Sequence, residues 1–301
     1  MTVVMEQATD RQASAADSPL GEEQLCLREL NAWYGESHVL HGVNMMVRRG
    51  ELVTLLGRNG AGRSSTLRAI MNMVGRRSGE ILIKGQDSMG LAPHRIAHLG
   101  VGFCPEERGI FASLSVEENL LLPPLVKSTG HDQGRSQDQS RGMSLDELYA
   151  LFPNLHERRT SQGTRLSGGE QQMLALARIL RTGADLLLLD EITEGLAPVI
   201  NQKLAEVLMM LKARGMTIVL VEQNFRFAAP LADRHYLMEH GTILEEISAA
   251  ELPARHEYLH KVLGVRAPAR DELHRLAAMH GLCTRQSEVR TSRHNNHNIA
   301  G

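Results

Sequence analysis

At 301 residues, with 42% hydrophobic and 23% charged content, the chain has the composition of an ordinary globular protein able to bury a sizeable core. A formal net charge of -2 argues against a general nucleic-acid binder, which would be basic, and no run approaches the roughly 18 apolar residues that suggest a bilayer span. Cys26, Cys104 and Cys283 are widely separated and lack CxxC spacing, so they read as reduced cytosolic thiols, not as a disulfide frame or zinc site. The N-terminus lacks the charged-then-apolar pattern of a secretory signal. Any service to a membrane is therefore expected from the cytoplasmic side, through partners.

Residues 1 to about 23 are polar and aperiodic, the composition of a disordered leader. Strands are predicted at Leu25–Leu30, Val39–Val47 and Glu51–Leu56, the last feeding a glycine-rich loop, and Ser65–Met73 has helical character. Ile81–Ile83 and Val101–Cys104 read as short strands. A helix from Leu114 to about Val126 opens with Ser115-Val116-Glu117-Glu118, carrying carboxylates in its first turn, and Pro123-Pro124 kinks or ends it. Lys127–Met143 is polar and low in complexity, expected to be a mobile surface loop inside a helical subdomain. Ser144–Phe152 and Ser167–Leu180 are predicted helices.

Leu186–Leu189 and Thr217–Val221 are continuous apolar strands, and such runs separated by helices indicate a parallel sheet covered on both faces. Tyr236–Met238 and Thr242–Glu246 read as a closing hairpin. The last 36 or so residues, from 266 to 301, offer one amphipathic helix at Asp271–His280 in a mostly disordered extension. Its final histidines, His294 and His297, read as solvated in preference to metal-binding, and no fixed-period repeat is visible.

Three stretches carry chemistry. Gly57-Arg58-Asn59-Gly60-Ala61-Gly62-Arg63-Ser64-Ser65 lies between a strand and a helix, the context of a GxxxxGK[ST] phosphate cradle. In such a loop the backbone N–H groups turn onto phosphate oxygens and the next helix adds its positive end. Gly57, Gly62 and Ser64 match, and Ser64 would place its hydroxyl on Mg²⁺. Arg63 stands where lysine is expected: it keeps the charge but exchanges a compact ammonium for a broad planar fork. Ground-state ATP binding should tolerate that better than a tightly packed transition state. The apolar strand before Asp190-Glu191 ends in two carboxylates at the crevice side of a parallel sheet. Asp190 would hold Mg²⁺ and Glu191 would orient or deprotonate an attacking water. Taken singly, the loop is also a plain glycine-rich turn, and the strand end a pair of solvated acids.

With Leu166-Ser167-Gly168-Gly169-Glu170 the sequence resembles the nucleotide-binding subunits of ABC transporters over roughly residues 24–265. The resemblance implies an α/β P-loop NTPase cassette: a mixed, RecA-like, largely parallel core sheet, an antiparallel β subdomain, and a helical signature subdomain over about 106–182. It also implies a dimer sandwiching two ATP molecules. The serine and glycine amides of one subunit's signature, Ser167, Gly168, Gly169 and Glu170, would meet the γ-phosphate in the partner's cradle. Further positions carry over singly: Tyr34 to adenine stacking, or to a core or hairpin role; Glu106 to a Mg²⁺-sensing position usually glutamine; Gln223 to the γ-phosphate switch usually histidine; and Glu194-Gly195-Leu196-Ala197 to the loop communicating across the dimer.

Pro105-Glu106, Glu222-Gln223-Asn224 and Asp190-Glu191-Ile192-Thr193-Glu194-Gly195-Leu196-Ala197-Pro198 look like one subfamily, the ATP-binding subunit of importers for branched-chain amino acids, with relatives for urea and short amides. Arg63 and Ile192 are unusual even there. The implied partners are a second ABC ATPase subunit, identical or paralogous, two integral-membrane permease subunits and a periplasmic solute-binding protein, with this chain peripheral at the cytoplasmic face of the inner membrane and no nucleic acid bound. The alternative is a nucleotide-binding but catalytically weak or silent subunit of the same kind of transporter. A soluble ABC ATPase acting on ribosomes or DNA is a third reading, opposed by the single cassette and mild acidity.

Overall fold

The computed structural model describes residues 21–124 and 142–255, with Leu259 and Leu263. The expected leader up to residue 20, nearly all of the expected loop at 127–143 and the extension from 266 onward, with its helix, histidines and Cys283, lie outside the described residues.

β1 (Glu23–Tyr34) and β2 (Ser37–Arg48) form a long antiparallel hairpin, paired from Tyr34↔Ser37 to Glu23↔Arg48. Both outrun their predicted spans because bulges interrupt the alternation: Glu29 sits at φ 47° where the β1 register slips. β3 (Leu52–Leu56) runs into the glycine-rich loop and α1 (Arg63–Ile70). That helix starts two residues before the predicted Ser65, because Gly62 takes φ 105° as its N-cap. β4 (Arg76–Ile83) and the two-residue β5 (Gln86–Asp87) complete a four-stranded antiparallel sheet in the order β2-β1-β4-β5.

After α2 (Pro93–His98) and β6 (Val101–Cys104), four helices build one flank: α3 (Val116–Leu121), α4 (Leu145–Leu151), α5 (Pro153–Glu157) and α6 (Gly168–Thr182). α3, α4 and α6 each open on a serine with a reciprocal glutamate, Ser115/Glu118, Ser144/Glu147 and Ser167/Glu170, which satisfies two of the amides a helix start leaves unpaired. α3 stops at Leu121, short of Pro123, which offers no N–H to continue it. β7 (Leu186–Asp190), α7 (Pro198–Ala213), β8 (Thr217–Val221), α8 (Phe225–Ala228), β9 (Arg234–Glu239) and β10 (Thr242–Ser248) follow.

The second sheet runs β10-β9-β3-β8-β7-β6, parallel throughout except for the β9–β10 hairpin. β3, β7 and β8 are buried at every residue, as strands covered on both faces must be. Alternation divides the core. Leu187, Leu189, Ile218 and Leu220 pack with α3–α7, whereas Leu186, Leu188, Val219 and Val221 pack with α1 and the antiparallel sheet. Leu259 and Leu263 join Phe225, Leu237 and Ile247 in a smaller third cluster. Among the described residues no helix is long and apolar enough to cross a membrane.

Candidate nucleotide site

The cradle sits at the C-terminal end of β3, and Asp190 ends β7, two strands away across β8. Its glycines have steric reasons in this chain. A Cβ on Gly57 would overlap the Met238 carbonyl, and one on Gly62 would come within 3.0 Å of both Leu40 and Met238. Gly60, at φ 80°, has open space beside it and is required by conformation alone.

The loop closes on the two carboxylates. Ser64 Oγ donates to Asp190 Oδ1 at 2.8 Å. Arg63 Nη2 reaches Glu191 Oε1 at 2.7 Å and Asn59 Oδ1 at 3.2 Å. The Arg63–Glu191 ion pair is buried, with side chains 4% and 14% exposed. A cleft of about 270 Å³ opens here, walled by residues 59–65, Glu106, Glu191 and Glu194. A neighbouring cleft of about 300 Å³ shares Glu191 and Glu194 and adds Thr193, Asn201, Glu222 and Gln223.

Electrostatics set this region apart. Burial is the main force raising the Asp190 carboxyl to about 6, with Glu191 adding repulsion and the Ser64 hydroxyl opposing. Asp190 Oδ2 is buried without a hydrogen-bond partner, as is Arg63 Nη1. Glu106 is also held above the ordinary carboxylate range, first by desolvation and then by a hydrogen bond with Glu194. Buried Glu222 is driven up to about 7, by desolvation above all.

A buried, unpaired carboxylate oxygen beside a serine hydroxyl is a fit for a hard divalent cation, which prefers oxygen donors. Among the described residues no group of three or more His, Cys, Asp or Glu forms a ready metal cage. Mg²⁺ is characteristically held by one or two protein carboxylates together with water and phosphate. Ser64 and Asp190 would hold it, and when bound the ion would neutralise phosphate charge that the carboxylates here otherwise repel.

The remaining sequence-assigned residues lie around this centre. Tyr34 is 38% exposed at the tip of the β1–β2 hairpin, while the adjacent Trp33 stacks on His38 and carries the Arg76 guanidinium 4.2 Å from its ring centre. Gln223 lines the second cleft, not the first. The signature forms the N-terminus of α6 and lines neither cleft of this chain. There Ser167 Oγ accepts from the Glu170 amide at 3.3 Å and Glu170 Oε2 accepts from the Ser167 amide at 2.7 Å. The first-turn amides of Gly168 and Gly169 have no carbonyl within the helix to bond. Gly169 is a glycine because three Ile200 side-chain atoms lie 3.0–3.2 Å from where its Cβ would be.

Two features escaped the sequence reading. Arg108 lies against Gly168 and donates to Gln171 Oε1 at 2.9 Å, tying the Glu106 loop to the signature helix. Glu222 receives the Thr193 amide at 3.1 Å and hydroxyl at 2.8 Å, its first link to the loop after Glu191. Both contacts join residues far apart in the chain, so no local pattern announces them.

A β-strand, phosphate cradle and helix joined to a carboxylate-ended parallel strand and a capped signature helix define a P-loop nucleotide-binding cassette. The family described as "ABC transporter" matches residues 40–194. The high-affinity branched-chain amino acid transport ATP-binding protein BraG of Pseudomonas aeruginosa is 39% identical over 228 residues, 76% of this chain and 94% of the relative. A probable branched-chain amino acid transport ATP-binding protein, LivF, of Archaeoglobus fulgidus is 34% identical over 78% of this chain and 95% of its own. The lipopolysaccharide export ATP-binding protein LptB of Haemophilus influenzae is 31% identical over 70% and 85%. Among solved structures, an ATP-binding subunit of an ABC transporter superposes with TM-score 0.62 at 25% identity, covering 85% of this chain and 99% of that one. A dimeric cassette in a post-hydrolysis state with ADP and Pi gives 0.63 at 23% identity, covering 74% and 98%, a likeness of fold alone. The chain belongs to the ABC transporter family, as an ATP-binding subunit.

Proposed function

We propose that this chain drives an importer of branched-chain amino acids, or of a related small solute such as urea or an amide, by binding and hydrolysing ATP with Mg²⁺. The observation that carries the ATPase reading is the convergence of Ser64, Arg63 and Glu191 on one cleft behind the cradle, with Asp190 buried against Ser64. The solute class rests on the names of the relatives, with the LptB likeness marking the exporter as the competing use.

In this reading the amides of Gly57–Ser65 cradle the phosphates, Tyr34 stacks on adenine, and Ser64, Asp190 and Glu106 serve Mg²⁺. Glu191 orients the attacking water and takes its proton, and Gln223 contacts the γ-phosphate. The Ser167–Glu170 corner acts on the nucleotide of a second ATPase subunit, identical or paralogous. Two permease subunits and a periplasmic binding protein complete the assembly, with this chain peripheral at the cytoplasmic face of the inner membrane. The cassette occupies about residues 24–265, with its helical subdomain at about 106–182.

Hydrolysis is expected at a reduced rate. Arg63 replaces a point charge with a fork that already holds Glu191. ATP turnover by the assembled transporter with Arg63→Lys beside the unaltered chain tests this: a gain of about tenfold, the scale of one well-placed interaction, is expected, and no gain means the arginine is fully competent. The same ion pair favours a second reading, a subunit that binds ATP but leaves hydrolysis to its partner. Equal turnover with Glu191→Gln and with Glu191 would favour that reading.

A further inference from the structure

β7 and β8 run in parallel register to Asp190↔Val221, and the Glu191 amide still donates to the Val221 carbonyl at 2.9 Å. Beyond that bond the strands end and the backbone ladder stops. Glu191 lies at φ 47°, a left-handed conformation that a non-glycine residue keeps only when its surroundings hold it. Gln223 is two residues past Val221 on the other strand. A connection other than the ladder must set the distance between these two side chains.

Glu222 supplies it. The side chain is 2% exposed and accepts three donors, all from the two loop ends: the Thr193 amide at 3.1 Å, the Thr193 hydroxyl at 2.8 Å, and the Asn224 amide. Thr193 follows Glu191 by two residues and is itself buried, and Glu222 directly precedes Gln223. Burying a carboxylate is costly unless its lone pairs are satisfied, and here they are satisfied by groups that otherwise have no common support.

We propose that Glu222 is a positioning residue, whose carboxylate pins the loop after Glu191 to the turn at Gln223 and so sets their separation across the cleft. The inference rests on the ATPase reading above for what that separation accomplishes, but not for the pinning itself. The charged groups facing Glu222 are Glu191 and Glu194, from the loop after β7, with Arg63 on the far side of Glu191. Glu191 adds repulsion to the desolvation that brings Glu222 to about 7. Because burial holds this carboxyl above its solvated value, protonation favours the pinned state and the pin loosens as pH rises through about 7.

The test uses the full chain as wild type, Glu222→Ala, Glu222→Gln, Thr193→Val and Thr193→Ser. Hydrogen exchange of nucleotide-free protein is followed for 191–196 and for the cradle at 57–66. Exchange at 191–196 is expected to quicken about tenfold or more in Glu222→Ala and Thr193→Val, the scale of a hydrogen bond to a charged group. The cradle should stay unchanged, and Thr193→Ser should stay near wild type. Equilibrium binding of a non-hydrolysable ATP analogue should move less than about twofold, while turnover by the assembled transporter drops about tenfold. In Glu222→Gln the alkaline limb of the turnover profile near neutrality should disappear.

Unchanged exchange at 191–196 would overturn the proposal, and so would a parallel loss of binding and turnover, which marks damage to the whole cassette. If Glu222→Ala does not fold, the Thr193 pair decides. A wild type that neither binds nor turns over ATP would sink the ATPase reading, while the exchange result would still decide the pin.

Discussion

A guanidinium in the cradle changes the site before any nucleotide arrives. Arg63 Nη2 is already committed to Glu191 and Asn59, leaving Nη1 buried without a partner. Polyphosphate must therefore compete with Glu191 for the cation that would bind it. Removing the competing charge without removing the acceptor shape should favour nucleotide. Glu191→Gln is expected to bind a non-hydrolysable analogue about three- to tenfold more tightly than wild type, a difference of roughly 1 kcal/mol. Calorimetric titration checks this, and equal affinities would mean that the pair does not oppose binding. Glu106, Asp190, Glu191 and Glu194 crowd the same place, so analogue affinity should fall about tenfold or more when EDTA replaces Mg²⁺. Arg63, Ser64, Asp190 and Glu191 were legible from motif spacing, whereas Glu106 and Glu194 came only with the family resemblance. The Arg63–Glu191 bond was not, because it spans 128 residues and depends on how two loop ends meet.

At the scale of elements, close approach decides which positions tolerate no side chain. Gly102 on β6 faces α6 so closely that an added Cβ would collide with Ile179 Cγ2. Gly102→Ala should destabilise the fold by about 1–3 kcal/mol through overpacking. Adding Ile179→Ala, which removes the colliding methyl, should recover part of that loss, so the double mutant would be less damaged than the two single losses predict. Denaturant unfolding of the four proteins measures the coupling. The sequence made this strand and helix visible separately, but their contact is tertiary. α7 shows the converse: Leu204, Val207, Leu208 and Leu211 follow a clear helical stripe behind Pro198, yet the sequence reading assigned no helix there. Its signal was present and local.

For the whole molecule, burial of carboxylates ties stability to pH. Asp190 at about 6 and Glu222 at about 7 lie above the roughly 4 expected of unfolded carboxyl groups. The folded chain thus retains protons that the unfolded chain releases between about pH 4 and 7. The stability these groups contribute is fully present at the acid end of that window and is lost as pH rises through about 6 and then about 7. Nucleotide-free protein should therefore melt at a higher temperature at about pH 5.5 than at about pH 7.5, and Asp190→Asn should flatten that slope. The helix-capping Glu118 and Glu147, and Glu251 in the turn after β10, are shifted downward by their serine partners, so their opposing contribution falls below this window. A melting temperature that rose steadily from about pH 5.5 to 7.5 would contradict the assignment.

By itself the sequence determined the cassette: strand, cradle and helix in order, the carboxylate-ended strand, the signature at a helix start and the apolar runs of a covered parallel sheet. These follow from local rules, since phosphate-binding amides, capping serines and fully buried strands each impose a short pattern on neighbouring residues. Only the tertiary structure decided which side chains meet: Arg63 with Glu191, Ser64 with Asp190, Glu222 with Thr193, and Ile200 over Gly169. Those contacts join strand ends and helices distant in the chain, and the adjacency of β3, β8 and β7 in the sheet, which no short stretch of sequence encodes, brings the first three together.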